Sequence, residues 1–299
     1  VTEPHHGEQA ISGQGGAARS GLSSPFSDPV RLPEIDSTNR YAVDAARDGA
    51  PEGLVVLADN QTAGRGRRGR RWTAPAGSAV LCSFLFRPPF GASDLHLLPT
   101  VVAVAARRSC GTAAGVEPAL KWPNDLICGD RKLAGVLAEV VPGDTPAVVV
   151  GVGINVSWPS PPGGSPVGLP DGGEEGGEAE LAALLDSATS LAIEQPGWAP
   201  DREAVIQALV SAVNELYGDL VGGARGTSTL LSRRASTRLM SEYRAACTTV
   251  GAQVRVDLVD ESFEGTALDI TDQGALLVST RACIRTVEAG DVVHLRASL

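Results

Sequence analysis

Apolar and polar positions change period repeatedly between residues 30 and 158, and each change predicts an element. "DSTNRYAVDAARDG" (Asp36–Gly49) is a short amphipathic run with Asp36 or Ser37 as helix cap and Gly49 as stop. "GLVVLAD" (Gly53–Asp59) and "SAVLCSFLF" (Ser78–Phe86) read as strands. "SDLHLLPTVVAVAARRSC" (Ser93–Cys110) reads as a largely apolar buried helix with Pro99 near its first turns. "ALKWPNDLICGDRKLAGVLAEVV" (Ala119–Val141) reads as a hairpin of two strands turning at "CGDR". "AVVVGVGINV" (Ala147–Val156) is a β-branched run suited to a sheet centre. Asp201–Gly218 and Thr229–Ala246 predict two further helices. From Val250 the texture becomes short, evenly spaced strands broken by turn chemistry, the pattern of a small antiparallel barrel, with a domain boundary near Cys247.

Two stretches lack any such period. Residues 1–29 are dominated by Gly, Ser, Pro, His and Gln and predict a disordered tail, because they carry too little apolar surface to offset ordering entropy. Residues 159–180, rich in Gly, Pro and Glu, predict a flexible insertion inside the first folded domain. The expected organisation is a tail (1–29), a larger mixed domain (30–246) and a small β-domain (247–299), in keeping with a length of 299 residues.

The formal net charge of −10 argues against broad nucleic-acid coating or a polybasic membrane surface. Cys82, Cys110, Cys128, Cys247 and Cys283 are scattered, with no CxxC pair, and read as reduced thiols of a cytoplasmic protein. His5, His6, His96 and His294 are equally dispersed, so no protein-held metal is expected. The N-terminus carries no apolar signal region, and the run "LLPTVVAVAA" falls far short of a membrane span.

Against that acidic background, "QTAGRGRRGRRW" (Gln61–Trp72) stands out. Gly64, Gly66 and Gly69 let backbone N–H groups approach an anion. Arg65, Arg67, Arg68, Arg70 and Arg71 supply planar forks for carboxylate or phosphate. It is not a Walker A loop, and a solvated basic loop or an RNA-binding segment remains an alternative on this stretch alone. The chain has only two lysines, Lys121 and Lys132, against 23 arginines, and both fall within twelve residues on the predicted hairpin. Surface charge tolerates either residue; a compact ammonium is needed where a cation must sit against a reacting oxygen. "KWPNDL" (Lys121–Leu126) is either a structural turn or part of a site. "GVGIN" (Gly151–Asn155) is either a bulge at a strand end or a close approach to a planar ligand.

Taken together, "DSTN", "QTAGRGRRGRRW", "KWPNDL", "DRKLAGVLAEV" and "GVGIN", in that order and followed by a small β-domain, resemble the biotin protein ligases. The resemblance covers about residues 33–158 and, more loosely, 250–299. It implies an α+β fold: a catalytic domain like that of class II aminoacyl-tRNA synthetases, a mixed sheet flanked by helices, then an SH3-like barrel. It implies MgATP-dependent formation of biotinyl-5′-AMP with release of pyrophosphate, then transfer of biotin to a lysine of a biotin carboxyl carrier domain. Carried over by motif, Ser37, Thr38, Asn39 and Gln61 would hold the biotin head, with Gly135 and Leu137 lining the pocket. Arg65, Gly66 and Arg67 would close over the carboxylate and acyl phosphate, and Lys132 would contact the reacting oxygens, which makes Lys132 and Arg67 the catalytic pair. Arg70, Trp72, Lys121, Asn124 and Asn155 would frame the nucleotide alongside Arg67 and Lys132. The metal expected is Mg²⁺ carried by ATP. Some members carry an N-terminal winged helix-turn-helix; the polar first thirty residues predict a monofunctional ligase that binds no DNA. A lipoate or octanoate ligase of the same superfamily is the nearest alternative. A nucleic-acid-binding module is a second, with net acidity and 4% aromatic content against it.

Overall fold

Ser37 begins the first helix in extended conformation, and its hydroxyl accepts from the Arg40 N–H. In the computed structural model, which describes residues 25–143, 146–160, 186–222 and 229–295, this cap opens α1 (Thr38–Arg47). Seven strands form the main sheet: β1 (Val30–Ile35), β2 (Val55–Gln61), β3 (Ala79–Phe86), β4 (Ala119–Lys121), β5 (Asp125–Cys128), β6 (Arg131–Val141) and β7 (Ala147–Asn155). Their order is β1-β2-β3-β7-β6-β5-β4; β1 runs parallel to β2 and every other pair is antiparallel. The helices α2 (Leu97–Ala114), α3 (Leu191–Glu194), α4 (Arg202–Gly222) and α5 (Thr229–Ala246) complete the domain.

Strand alternation sorts the two faces of this sheet. On one face, Val80, Cys82 and Phe84 of β3 and Val148, Val150 and Val152 of β7 pack in one core with buried residues of α2 and α4. On the other, Ala42, Val43 and Ala46 of α1 cover Val56, Leu85 and Val149. α4 is long and apolar enough by composition to cross a membrane, but Val205, Leu209, Val213 and Leu220 lie in the core.

The second unit is a five-stranded antiparallel sheet ordered β11-β10-β9-β8-β12. Its strands are β8 (Gln253–Asp257), β9 (Ser262–Ile270), β10 (Leu276–Ser279), β11 (Ile284–Val287) and β12 (Asp291–His294). The mixed sheet flanked by helices, followed by this small β-domain, is the architecture the resemblance implies. The two units are sewn together by Trp122, whose Nε1 donates to Gly274 O at 2.9 Å and whose backbone N donates to Thr249 Oγ1 at 3.0 Å.

Three expectations change. The predicted hairpin is three strands, because Trp122–Asn124 form a second turn that splits its first arm into β4 and β5. β1 was not anticipated; Pro33 interrupts its alternation. The expected tail includes Phe26, which is 1% exposed and packs edge-on against Phe84, Phe86 and Tyr217. Residues 1–24 and most of the expected insertion, 161–180, lie outside the described residues.

Candidate active site

The expected site residues meet on the α1 face of the sheet, where strand side chains shrink. Beyond Val149, β7 presents Gly151 and Gly153 on that face; the paired positions are Leu137 and Gly135 on β6, and Ser83 and Leu81 on β3. β7 runs through both glycines without a register shift, so "GVGIN" is not a bulge. The glycines exist for close approach. A Cβ on Gly151 would overlap Asn39 Oδ1 and lie 2.8 Å from Asn39 Cγ. One on Gly153 would fall 2.6 Å from Cζ2 of the Trp72 indole, and one on Gly135 3.1 Å from Lys132 Nζ.

At one end of this glycine floor stands the N-terminus of α1. Thr38 donates to Gln61 Oε1 from both its backbone N (2.8 Å) and its hydroxyl (3.0 Å). Ser83 Oγ lies 2.8 Å from Thr38 Oγ1 and 2.7 Å from Asn39 Oδ1. Asn39 Nδ2 donates to Leu137 O (3.2 Å) and to Glu139 (3.0 Å). Ser37, Thr38, Asn39 and Ser83 are all buried. Glu139, itself paired with Arg65, is the carboxylate at this end; the buried groups around it are uncharged and rich in donors and acceptors, which suits a small polar head group.

At the other end are the cations. Lys132 Nζ sits 2.6 Å from Asp125 Oδ1 and 5.8 Å from the centre of the Trp72 ring. Lys121 is the cross-strand partner of Asp125 on β4 and lies close enough to His294 to help depress its pKa, after burial. The arginine loop forms a tight hairpin: Gly66 N donates to Arg70 O at 2.7 Å, and Trp72 N donates to Gly64 O at 3.0 Å. Arg68 at its tip has φ 54°, rare for a residue with a side chain. The arginines are held apart by named partners. Arg65 pairs with Glu139 at 2.9 Å. Arg68 and Arg70 share Asp291 of β12, and Arg68 also donates to Asp257 O at 3.2 Å. Arg67 reaches Asn124 Oδ1 (3.3 Å) and Gly290 O (3.4 Å); burial lowers its pKa, opposed by Asp291 and Asp125. The knot of positive charge is thus directed at the floor and the C-terminal domain, a poor arrangement for a nucleic-acid platform.

The remaining expected residues are braced around this centre. Asn124 Nδ2 donates to Val136 O at 2.9 Å, fixing the "KWPNDL" turn on β6. Asn155 is buried and donates to Thr189 O at 2.8 Å, so it holds the segment that leads into α3. The Trp72 Nε1–H is buried and has no acceptor among the described residues. A surface cavity of about 670 Å³ lined by Ser27, Arg31, Glu203 and Asn214 lies elsewhere; at the site itself the indole covers the floor.

Sequence reasoning missed Ser83, Asp125, Glu139 and Asp291. Ser83 had a signal, a lone hydroxyl inside an apolar strand. Asp125 lay inside a quoted motif but read as turn chemistry. Glu139 and Asp291 reach the loop only through tertiary contact.

Comparison with known proteins bears on this arrangement. Residues 32–155 match the Biotin/lipoate A/B protein ligase family, and residues 249–295 match the Biotin protein ligase C terminal domain. A biotin–[acetyl-CoA-carboxylase] ligase of Mycobacterium tuberculosis is 34% identical over 269 residues, covering 88% of this chain and 87% of that protein. A bifunctional ligase/repressor of Bacillus subtilis is 30% identical over 260 residues, covering 86% and 71%. The structure of a biotin protein ligase from Aquifex aeolicus in complex with biotin and ATP superposes with a TM-score of 0.67 at 24% identity, covering 91% of this chain and all of that one, and so shares the fold.

Proposed function

The chain belongs to the biotin/lipoate A/B protein ligase family and, within it, to the biotin protein ligases, and from that premise we propose how its residues divide the work. Its activity is ATP-dependent biotin ligation. Biotin lies along the floor with its head at Ser37, Thr38, Asn39 and Gln61, and its chain passes over Gly151, Gly135 and Leu137. Its carboxylate points toward Lys132 and the Arg65–Gly66–Arg67 segment. The nucleotide occupies the Gly153 end, framed by Trp72, Asn124, Lys121, Arg70 and Asn155. The observation that carries this reading is the polarity of the floor: uncharged hydrogen-bonding groups with the mutually compensating Glu139–Arg65 pair at the α1 end, and Lys132 with Arg67 at the other.

The chemistry follows from that polarity. A carboxylate oxygen attacks the α-phosphorus, the bond to the bridging oxygen breaks, and pyrophosphate leaves with its electron pair. Two anions must approach one another, so cations fixed at the meeting point lower the barrier. Lys132 serves as the compact charge at the reacting oxygens, and Arg67, partly desolvated and held by Asn124, as the second. In the next step an acceptor amine attacks the acyl carbon and AMP departs. No side-chain nucleophile is required. Mg²⁺ would enter on the ATP phosphates and offset part of their charge.

The acceptor is the lysine of a biotin carboxyl carrier domain, supported by the naming of the Mycobacterium relative as a carboxylase ligase. All five cysteines are free thiols, which supports a cytoplasmic setting. The test is incubation with biotin, ATP and a carrier domain, followed by a streptavidin blot, with lipoate in a parallel reaction. Transfer of lipoate and not biotin would overturn the assignment.

A further inference from the structure

Glu139 has no part in the reaction as derived above, yet it closes a ring of hydrogen bonds around the biotin end of the site. Two consecutive residues of α1 start the ring. Thr38 holds Gln61, the last residue of β2, through bonds of 2.8 and 3.0 Å. Asn39 holds Glu139 on β6 at 3.0 Å. From Gln61 the chain runs through Gly64 to Arg65, and Arg65 returns to Glu139 at 2.9 and 3.2 Å. The N-terminal arm of the arginine loop is therefore anchored at two points by neighbouring residues of one helix.

Asn39 cannot adjust to a lost partner. It is 4% exposed, its Oδ1 lies 2.7 Å from Ser83 Oγ, and Gly151 beneath it leaves no room even for a methyl group. Glu139 consequently has a fixed orientation, and a fixed carboxylate fixes the guanidinium that binds it. An ordinary surface ion pair would lack this second, buried partner and would contribute little.

We propose that Glu139 is a positioning residue: it holds the Arg65 guanidinium at the rim of the biotin pocket before ligand arrives, so that biotin meets a preorganised cation instead of a freely rotating one. This rests on the reading of Arg65 as a biotin-site residue. The advantage is entropic, because the long arginine side chain is already ordered when biotin binds.

The test is a double-mutant cycle read by titration calorimetry with biotin alone, together with ATP KM, kcat and melting temperature. Glu139→Gln keeps an acceptor for Asn39 but removes the charge facing Arg65. It should weaken biotin affinity roughly fivefold, while melting temperature and ATP KM stay at wild-type values. In an Arg65→Met background the same substitution should have no further effect, because the group it positions is gone. A Glu139→Gln effect of equal size in both backgrounds, or no effect on biotin in the wild-type background while Arg65→Met alone weakens it, would overturn the role of Glu139. Unchanged biotin affinity in Arg65→Met would overturn the assignment of Arg65 itself and this proposal with it.

Discussion

Replacing Gly153 by alanine adds one methyl group at the point where the Trp72 indole lies on the sheet. That methyl would sit 2.6 Å from Cζ2 and 2.9 Å from Cδ2, closer than carbon atoms approach, and neither Gly153 nor Gly151 has a positive φ to add backbone strain. The indole must rise by about 1 Å to restore normal contact. It cannot rise alone, since Trp72 N is bonded to Gly64 O at 3.0 Å and the loop hairpin moves with it. Overpacking of this kind costs about 1–3 kcal/mol, here charged to the closed loop. Stacking of a base on an aromatic contributes a similar ~1–3 kcal/mol, and part of it is lost when the platform tilts. The expected result is an ATP KM raised about tenfold, with biotin affinity close to wild type.

Gly151→Ala should do the reverse. Its methyl meets the Asn39 amide and Ser83 Oγ, the latter at 3.2 Å, both in a buried network with fixed partners. Displacing Asn39 leaves buried polar groups unpaired at about 1–3 kcal/mol, a loss of roughly five- to 150-fold in biotin affinity. Titration with biotin alone and pyrophosphate exchange at saturating biotin separate the two effects. If both variants weaken both ligands equally, or Gly153→Ala strikes biotin first, the division of the floor into a biotin end and a nucleotide end is wrong.

Lys132→Ala should lower the rate of adenylate formation by about two to three orders of magnitude with the melting temperature unchanged, and Lys132→Arg should rescue poorly, because the fork does not fit where the ammonium does; single-turnover rates near wild type for either variant would remove Lys132 from the reaction. Asp291→Asn releases Arg68 and Arg70 together, so trypsin should cut the loop several-fold faster at unchanged global stability; equal cleavage rates would show that β12 does not restrain the loop. His294 is half-buried beside Lys121, and burial first, then that charge, lowers its pKa. The folded chain therefore holds it neutral while the unfolded chain takes a proton near pH 6.5, so its contribution is complete above about 6.5 and is lost as pH falls below that. Denaturation midpoints compared between about pH 7.5 and 5.5 should show this loss, and His294→Gln should remove that part of the profile. Phe26→Ala should destabilise the fold by about 3–5 kcal/mol, read from urea melts, because the ring is enclosed by three aromatic neighbours; a change below about 1 kcal/mol would mean the site collapses to fill the space.

What could be read from the sequence depended on how far apart the interacting residues lie. Glycine spacing, the arginine knot and the two lysines are local patterns, and strand alternation in "SAVLCSFLF" and "AVVVGVGINV" carries the sheet. Two glycines two residues apart on one strand must share a face, so the floor was implicit in "GVGIN" once the strand was recognised. The split of the hairpin's first arm into β4 and β5 was not, although "KWPNDL" offered a turn, because strands of three and four residues are too short to show a period.

Glu139 and Asp291 mark the limit in a different way. Their partners lie 74 residues away in one case and 221 in the other; Glu139 falls inside the quoted "DRKLAGVLAEV", but nothing in that stretch points to Arg65, and nothing near Asp291 distinguishes it from the other carboxylates of an acidic chain. The acidic surplus that seemed to conflict with the arginine knot includes, at these two positions, the carboxylates that hold it open. Five arginines within nine residues repel one another, and a loop built from them would not keep one shape without anions to separate the side chains. Glu139 takes the base of the loop and Asp291 takes its tip. At the centre Lys132 is paired with Asp125 at 2.6 Å, while Arg67 is bonded to the neutral Asn124 Oδ1 and Gly290 O and feels Asp291 and Asp125 at longer range, which on the proposed reading leaves its guanidinium to meet the anions of the reaction.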